Sequence, residues 1–159
     1  MNAKRKILEK IVRVDQAGEV GAQQIYEGQK LVFKILKNKK DYDQVSHMAI
    51  EEQEHLDYFN ELAKKESIKS TKMSNIFGIG AYAMGVGTAL LGRKAAYVCT
   101  EAVEEVIEAH YQKQIDELEG IHDDVRKKII KFQEDEVNHK NTAINEGSQQ
   151  TFGYNILRK

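Results

Sequence analysis

The feature that most limits the fold is a chain of 159 residues without a single proline. Proline breaks the interior of a helix, so its absence leaves room for long uninterrupted helices. Apolar residues recur three and four positions apart, which is the helical period, in four stretches of the chain. These stretches span about 4–36, 41–66, 93–118 and 123–145. The sequence therefore predicts an all-α protein built on four long helices.

The links between these stretches predict how the helices are arranged. The links 37–40 and 119–122 are short, so each flanking pair of helices should be antiparallel. The link 67–92 is much longer and allows a crossover between the second and third helices. We therefore expect residues 1–159 to form one ferritin-like four-helix bundle with a long apolar crossover.

The crossover has an unusual composition. Between Lys72 and Arg93, 20 consecutive residues carry no charge, and many of them are glycine. The stretch is long enough for a transmembrane helix, but its Gly, Ser, Asn and Thr content argues against one. Two interpretations stay open for residues 73–92: a helix in the membrane interface, or a buried crossover packed on the bundle. The C-terminal residues 149–159 are expected to form a surface tail.

Charge and cysteine content exclude several classes of protein. The formal net charge is −1, which gives no electrostatic basis for nucleic acid as a partner. The one cysteine, Cys99, excludes an internal disulfide and fits a reducing compartment. The basic N-terminus lacks the apolar core of a signal peptide. We therefore expect a cytosolic chain that can touch a membrane.

Two copies of the motif Glu-X-X-His provide the first candidate functional residues. Glu52 and His55 lie in the second predicted helix, and Glu136 and His139 lie in the fourth. Residues three apart share one side of a helix, and the neighbours on that side are apolar in both cases. These side chains should therefore point into the core, where a carboxylate is costly unless it is paired or binds metal.

The other two helices each add one glutamate in a repeated pattern. Glu19 is followed seven residues later by Tyr26, and Glu104 is followed seven residues later by Tyr111. The chain thus consists of two similar helix pairs, each with a Glu followed by Glu-X-X-His. Four glutamates carry a charge of −4, which two divalent ions would cancel. This ligand set is typical of di-iron or di-manganese carboxylate bundles, and the absence of thiolate argues against structural zinc.

Several neighbouring residues are ambiguous. Glu101 and Glu105 are alternatives to Glu104, which the repeat favours. Glu51 and Glu54 are expected to be solvated. Asp15 is either a hydrogen-bond partner of a ligand histidine or a surface residue. His110 and Tyr111 could relay electrons or contact substrate. The alternative is that they are an exposed histidine and a packed aromatic residue with no role in the site.

The chain resembles the demethoxyubiquinone hydroxylase family of ubiquinone biosynthesis. The resemblance runs from about residue 13 to 147 and is carried by the segments 14–22, 52–56, 99–105, 109–111 and 134–139. It implies a di-iron monooxygenase that uses O₂ to hydroxylate the ring of 3-demethoxyubiquinol, a peripheral membrane enzyme. The implied iron ligands are Glu19, Glu52, His55, Glu104, Glu136 and His139, with His110 and Tyr111 as candidates for electron transfer or substrate contact.

The resemblance also implies partners and a location. The substrate would be a prenylated quinol in membrane lipid, reached through residues 76–91, and NADH or the quinol itself would be the reductant. No dinucleotide-binding fingerprint follows a strand, so a Rossmann-type NADH site is not expected. A lipid-binding accessory protein accompanies some members, and the oligomeric state is open. Because the chain begins almost at its first helix, we expect a bacterial protein on the cytoplasmic face of the cell membrane.

Two other functions fit the same residues. A ferritin-like protein that oxidises iron or scavenges peroxide would use the same metals without a lipid substrate. A helical bundle whose charges are only structural would bind no metal.

Overall fold

The computed structural model describes residues 3–69 and 74–158, and the part of the chain that it describes contains helices and turns but no strand. The prediction of an all-α bundle is confirmed. Four long helices correspond to the four predicted stretches, with ends that differ by at most a few residues. They are α1 (Ala3–Ile35), α2 (Lys39–Lys65), α4 (Arg93–Glu117) and α5 (Asp123–Asn145), while α3 (Ser74–Leu90) lies in the crossover.

The two short links join antiparallel helices, as predicted. Asn38 caps α2, because its side chain accepts a hydrogen bond from the backbone N–H of Asp41 at 3.3 Å. Arg93 at the start of α4 donates to both carboxylate oxygens of Asp41, at 2.7 and 2.8 Å. Tyr97 donates to the same carboxylate at 3.0 Å. These contacts fix the start of α4 beside the start of α2.

Two apolar clusters fill the bundle on either side of a polar middle. One cluster contains Phe59, Leu118 and Ile129, and the other contains Phe33, Val45 and Tyr97. All six side chains are at most 3% exposed. The layer between the clusters is therefore shielded from water at both ends of the bundle.

Helix α3 runs parallel to α1 and packs closely on it. Gly21 of α1 lies against Phe77, and Gly28 lies against Tyr82 and Val86, so positions advance in the same direction along both helices. The opposite side of α3 is exposed, with Ile79 at 73% and Leu90 at 68%. The crossover thus combines a packed face with an exposed apolar face, whereas the sequence left these as alternatives. Residues 70–73 lie outside the described residues.

None of the helices in the described residues combines the length and the apolar content that crossing a bilayer requires.

The C-terminal segment packs on the bundle and is not a free surface tail. It forms a 3₁₀ helix, Ser148–Gln150, and a short helix α6, Tyr154–Leu157. Tyr154 donates to the carboxylate of Glu101 at 2.6 Å, and Ser148 and Gln149 donate to it as well. Glu101 is only 2% exposed, so its carboxylate needs these donors. Lys159 lies outside the described residues.

Candidate metal centre

Six side chains meet in the polar middle of the bundle. Each of the four long helices contributes one glutamate, and α2 and α5 each add the histidine one turn later. All six are at most 3% exposed; they are Glu19, Glu52, His55, Glu104, Glu136 and His139. The structure therefore brings together every metal ligand that the sequence predicted, while metal binding itself stays a prediction.

These residues form two overlapping groups. Within each group, one potential ligand atom from every residue lies within 4.8 Å of the others. The first group is Glu19, Glu52, His55 and Glu136, and the second is Glu52, Glu104, Glu136 and His139. Glu52 and Glu136 belong to both groups. They are therefore placed to bridge two ions, with one terminal glutamate and one histidine on either side.

The inward-facing atoms have no hydrogen-bond partner. This holds for both carboxylate oxygens of Glu52 and Glu136 and for the Nδ1 atoms of His55 and His139. His55 Nδ1 lies 3.0 Å from Glu136, and His139 Nδ1 lies 3.2 Å from Glu52. Buried polar atoms are almost always satisfied, so unpaired atoms gathered at one point indicate a site for a cation. Two divalent cations fit this donor set in number, charge and chemistry.

The electrostatics of the cluster also indicate cations. Burial, with the charge of Glu52 next in size, raises the pKa of Glu19 well above its ordinary value. Burial and the charge of Glu136 do the same for Glu104. Burial lowers the pKa of His139, but the carboxylates of Glu136 and Glu52 outweigh it and raise that pKa to about 10. Without metal the cluster therefore holds protons, which bound cations would displace.

Each terminal glutamate is held by a tyrosine from the opposite helix pair. Tyr26 on α1 donates to one oxygen of Glu104 on α4, and Tyr111 on α4 donates to one oxygen of Glu19 on α1. In both glutamates the other oxygen is unpaired. The tyrosines therefore fix each carboxylate so that its free oxygen is available to an ion.

The histidines are held in the same crosswise manner. His55 Nε2 lies 3.2 Å from Asp135 on α5, and His139 Nε2 lies 2.9 Å from Glu51 on α2. A carboxylate on the outer ring nitrogen orients the imidazole and leaves Nδ1 free to bind metal. Glu51 was expected to be solvated, and its side chain is 32% exposed, but it also contacts a ligand histidine. The sequence does contain a signal for this contact, because an acidic residue directly precedes the glutamate that begins each Glu-X-X-His motif.

Asp15 is neither a surface residue nor a partner of a histidine. It is 4% exposed and accepts a hydrogen bond from Gln114 Nε2 at 2.6 Å, while its Oδ2 atom has no partner. Burial raises its pKa to about 8. In the other helix pair, Gln29 corresponds to Gln114 and Thr100 corresponds to Asp15, and Gln29 donates to the Thr100 hydroxyl at 3.4 Å. The two-fold pattern thus continues one turn beyond the ligands, but only one half carries an acid there.

The remaining candidates lie outside the cluster, except for Tyr111. Glu101 binds the C-terminal segment, and Glu105 is exposed and pairs with Arg158. His110 is exposed and lines a shallow groove with Lys10, Gln114 and their neighbours. Tyr111 is completely buried and contacts Glu19. The structure therefore puts Tyr111 at the centre and His110 on the surface.

The fold and this residue set match the class of four-helix bundles that hold two metal ions between glutamates and Glu-X-X-His motifs. Within this class, the family model described as "Ubiquinone biosynthesis protein COQ7" matches residues 6–159. The chain belongs to that family.

Curated relatives agree with this match. A protein of Caenorhabditis elegans named "NADPH-dependent 3-demethoxyubiquinone 3-hydroxylase, mitochondrial" is 37% identical, over 98% of this chain and 84% of its own length. A protein of Rhodospirillum rubrum named "3-demethoxyubiquinol 3-hydroxylase" is 34% identical, over 95% of this chain and 70% of its own. A human protein with the same name as the C. elegans protein is 34% identical, over 99% and 73%.

Proposed function

We propose that this protein is a di-iron monooxygenase that hydroxylates the ring of 3-demethoxyubiquinol with O₂ in ubiquinone biosynthesis. The observation that carries the proposal is the pair of ligand groups that share Glu52 and Glu136, found in a chain of this family. The relatives named above are hydroxylases of this substrate or of its quinone. Iron held by the six ligands would supply the reduction of O₂, and NADH, NADPH or the quinol would supply electrons.

The chain's own residues have three tasks in this reaction. The four glutamates and two histidines bind and balance the charge of the metal ions. Tyr26 and Tyr111 hold a proton at the outer oxygens of Glu104 and Glu19 and fix the rotamers of these ligands. Apolar side chains exclude water, such as Phe132, whose ring centroid lies 4.0 Å from that of His55. Tyr111 is a candidate for electron transfer, whereas His110 could serve only from the surface.

Access to a prenylated quinol requires contact with lipid. Each buried CH₂ contributes about 0.8 kcal/mol to membrane affinity, so a long isoprenoid tail stays in the bilayer and the enzyme must come to it. The exposed apolar side of α3, described from Phe77 onward, supports attachment as a peripheral membrane protein through the predicted surface at residues 76–91. A lipid-binding accessory protein and the cytoplasmic face of a bacterial membrane remain part of the prediction.

Metal analysis with matched variants tests the centre. Glu52→Gln and Glu136→Gln each remove a shared ligand, so we expect purified protein to lose most of its iron. Glu54→Gln and Glu134→Gln change exposed glutamates two residues away on the same helices and should retain it. Unaltered iron content in the first pair of variants would contradict the ligand assignment.

Quinone profiling tests the substrate. Cells that lack the protein should accumulate demethoxyubiquinone, and the Glu54→Gln variant but not the Glu52→Gln variant should restore ubiquinone. An iron-oxidising or peroxide-scavenging protein would leave the quinone profile unchanged. Replacing Ile79 and Leu90 by charged residues should reduce membrane binding and quinol turnover together, while a charged residue at Ile50, exposed on α2, should not.

A further inference from the structure

Four exposed apolar residues lie at the end of the bundle where α1 and α3 terminate. The two helices run parallel, and so their C-termini lie at the same end of the bundle. The last residues of α1 and its turn are Ile35 and Leu36, which are 69% and 62% exposed. The corresponding residues after α3 are Leu90 and Leu91, which are 68% and 70% exposed.

The C-terminal segment adds two more apolar side chains at this end. Arg93 donates to the backbone carbonyl and the carboxylate of Glu146, and Lys94 donates to Gln150 at 3.4 Å, so the segment lies beside the start of α4. Phe152 is fully exposed and Ile156 is 80% exposed. With Leu91 and Ala95 they line an open groove of about 630 Å³. The anchoring of this segment by Glu101 therefore holds apolar side chains out toward solvent.

The described residues at the opposite end of the bundle form no such surface. Within residues 60–69 and 113–126, which the structure describes, no large apolar side chain is exposed. Exposed large apolar residues elsewhere in the described residues, such as Ile50 on α2 and Val106 on α4, are scattered singly, whereas those at this end and along α3 are grouped. Large exposed apolar patches usually mark an interaction surface.

Charge identifies the partner. Exposed lysines lie in the same turns as the apolar residues: Lys34, Lys37, Lys39, Lys40 and Lys94. Arg93 binds both Asp41 and Glu146, Lys40 also pairs with Glu146, and Lys39 pairs with Asp43. Basic residues nevertheless outnumber acids in these turns. Apolar side chains bordered by basic ones complement a bilayer that carries negative headgroups.

We propose that the end face, formed by Ile35, Leu36, Leu90, Leu91, Phe152 and Ile156 with the surrounding lysines, binds the surface of an anionic phospholipid bilayer. The C-terminal segment is then part of the docking surface, and α3 enters the interface from its C-terminal end. This inference rests on the proposed function, because a substrate held in lipid is the reason for the enzyme to dock.

The absence of Trp from the chain allows a direct test of contact. Phe152→Trp introduces a single tryptophan at the end face, and Ile50→Trp introduces one on the exposed side of α2. With vesicles of phosphatidylcholine and phosphatidylglycerol, we expect a blue shift of emission and quenching by brominated lipid for Phe152→Trp only. Equal emission at both positions, or no shift at Phe152→Trp, would overturn the proposal.

Vesicle flotation tests the selection of anionic lipid. Lys34→Glu with Lys37→Glu should weaken binding to these vesicles at least about tenfold. Lys64→Glu with Lys65→Glu makes the same charge change at the opposite end and should not. Equal binding of the wild type to pure phosphatidylcholine would contradict the role of the lysines.

Two measurements separate other outcomes. If the end face is an interface between copies of this chain, light scattering without lipid will show a dimer that Phe152→Ser with Ile156→Ser dissociates, and the proposal fails. Hydroxylation of a demethoxyubiquinol analogue with a short, water-soluble tail tests the proposed function without a membrane. Turnover of this analogue by a protein that binds no vesicles would therefore overturn the docking surface alone.

Discussion

At the scale of single residues, the outer partners of the histidines determine how well the centre is organised. Glu51 and Asp135 each contact the Nε2 atom of a histidine from the other helix pair. Neither carboxylate contacts another proposed ligand, so their effect on metal must act through the orientation and basicity of the imidazole. They are positioning residues.

We therefore expect Glu51→Gln and Asp135→Asn to lower metal affinity by about 10–100-fold without abolishing binding. Competition with a chelator of known affinity measures this. Glu54→Gln, which alters an exposed acid on the same helix as Glu51, is the control. Affinity equal to that of the wild type in both variants would show that these carboxylates do not organise the site.

Asp15 predicts a pH dependence of stability. Its pKa is raised from 3.8 to about 8, so the folded protein holds a proton that the unfolded chain releases. Stability from this group is complete below pH 3.8 and is lost as the pH rises to about 8. Asp15→Asn mimics the protonated form and should raise the free energy of unfolding by up to about 4 kcal/mol at pH 7.

Denaturant unfolding of the metal-loaded protein between about pH 5 and pH 9 checks this prediction. The gain in the Asp15→Asn variant should increase with pH up to about 8 and then level off. A gain that is independent of pH would mean that Asp15 does not hold the proton.

At this scale, the sequence predicts a ligand where the two helix pairs repeat the same spacing. It does not predict the burial of a polar residue whose partner is distant in the chain. Glu104 was distinguished from Glu101 and Glu105 by its spacing to Tyr111, and it does lie in the cluster. Asp15 could not be placed, because its partner Gln114 is 99 residues away. The binding of Glu101 by Ser148, Gln149 and Tyr154 had no sequence signal either.

At the scale of elements, the close contact between α1 and α3 depends on glycines, which have no side chain to keep the two backbones apart. A Cβ added at Gly85 would overlap the backbone carbonyl oxygen of Ile25, and one at Gly28 would overlap that of Tyr82. An apolar, glycine-rich composition suits both a membrane-facing helix and a buried one. The sequence therefore could not show that α3 has a face of each kind, because this depends on which glycines meet α1.

Alanine substitutions on α3 test this close approach. Gly85→Ala should destabilise the protein by at least about 2 kcal/mol, since backbone atoms cannot move aside as a side chain would. Gly87→Ala on the same helix meets nothing within 4 Å and should stabilise it by up to about 1 kcal/mol. Thermal unfolding of both variants measures the difference. Equal effects of the two substitutions would mean that the helices are further apart.

At the scale of the whole molecule, metal and protons compete for the same core. The raised pKa values of Glu19, Glu104 and His139 mean that the metal-free protein loses stability as the pH rises above the ordinary values of these groups. Glu136, whose pKa is lowered despite its burial because of Glu104, His139 and His55, changes stability only below its ordinary value of 4.5. Metal binding has the opposite trend, because the ligands must be deprotonated.

The stabilisation by metal should consequently grow with pH. We expect the melting temperature of the metal-loaded protein to exceed that of the chelated protein by more at about pH 8 than at about pH 6. Differential scanning calorimetry with and without chelator measures both values. The Glu52→Gln variant should show little difference between the two conditions at either pH.

The crosswise pattern of contacts has a consequence for how the molecule can be divided. Each predicted ion would take three ligands from one helix pair and one bridging glutamate from the other. The two tyrosines that bind the terminal glutamates and the two acids that bind the histidines also contact the opposite helix pair. A fragment that contains α1 and α2 alone would expose its glutamates to water and would lack a complete ligand group for either ion. Separately produced helix pairs should instead assemble with each other only when metal is present. The two metal ions would then hold the two helix pairs together in addition to their role in the reaction.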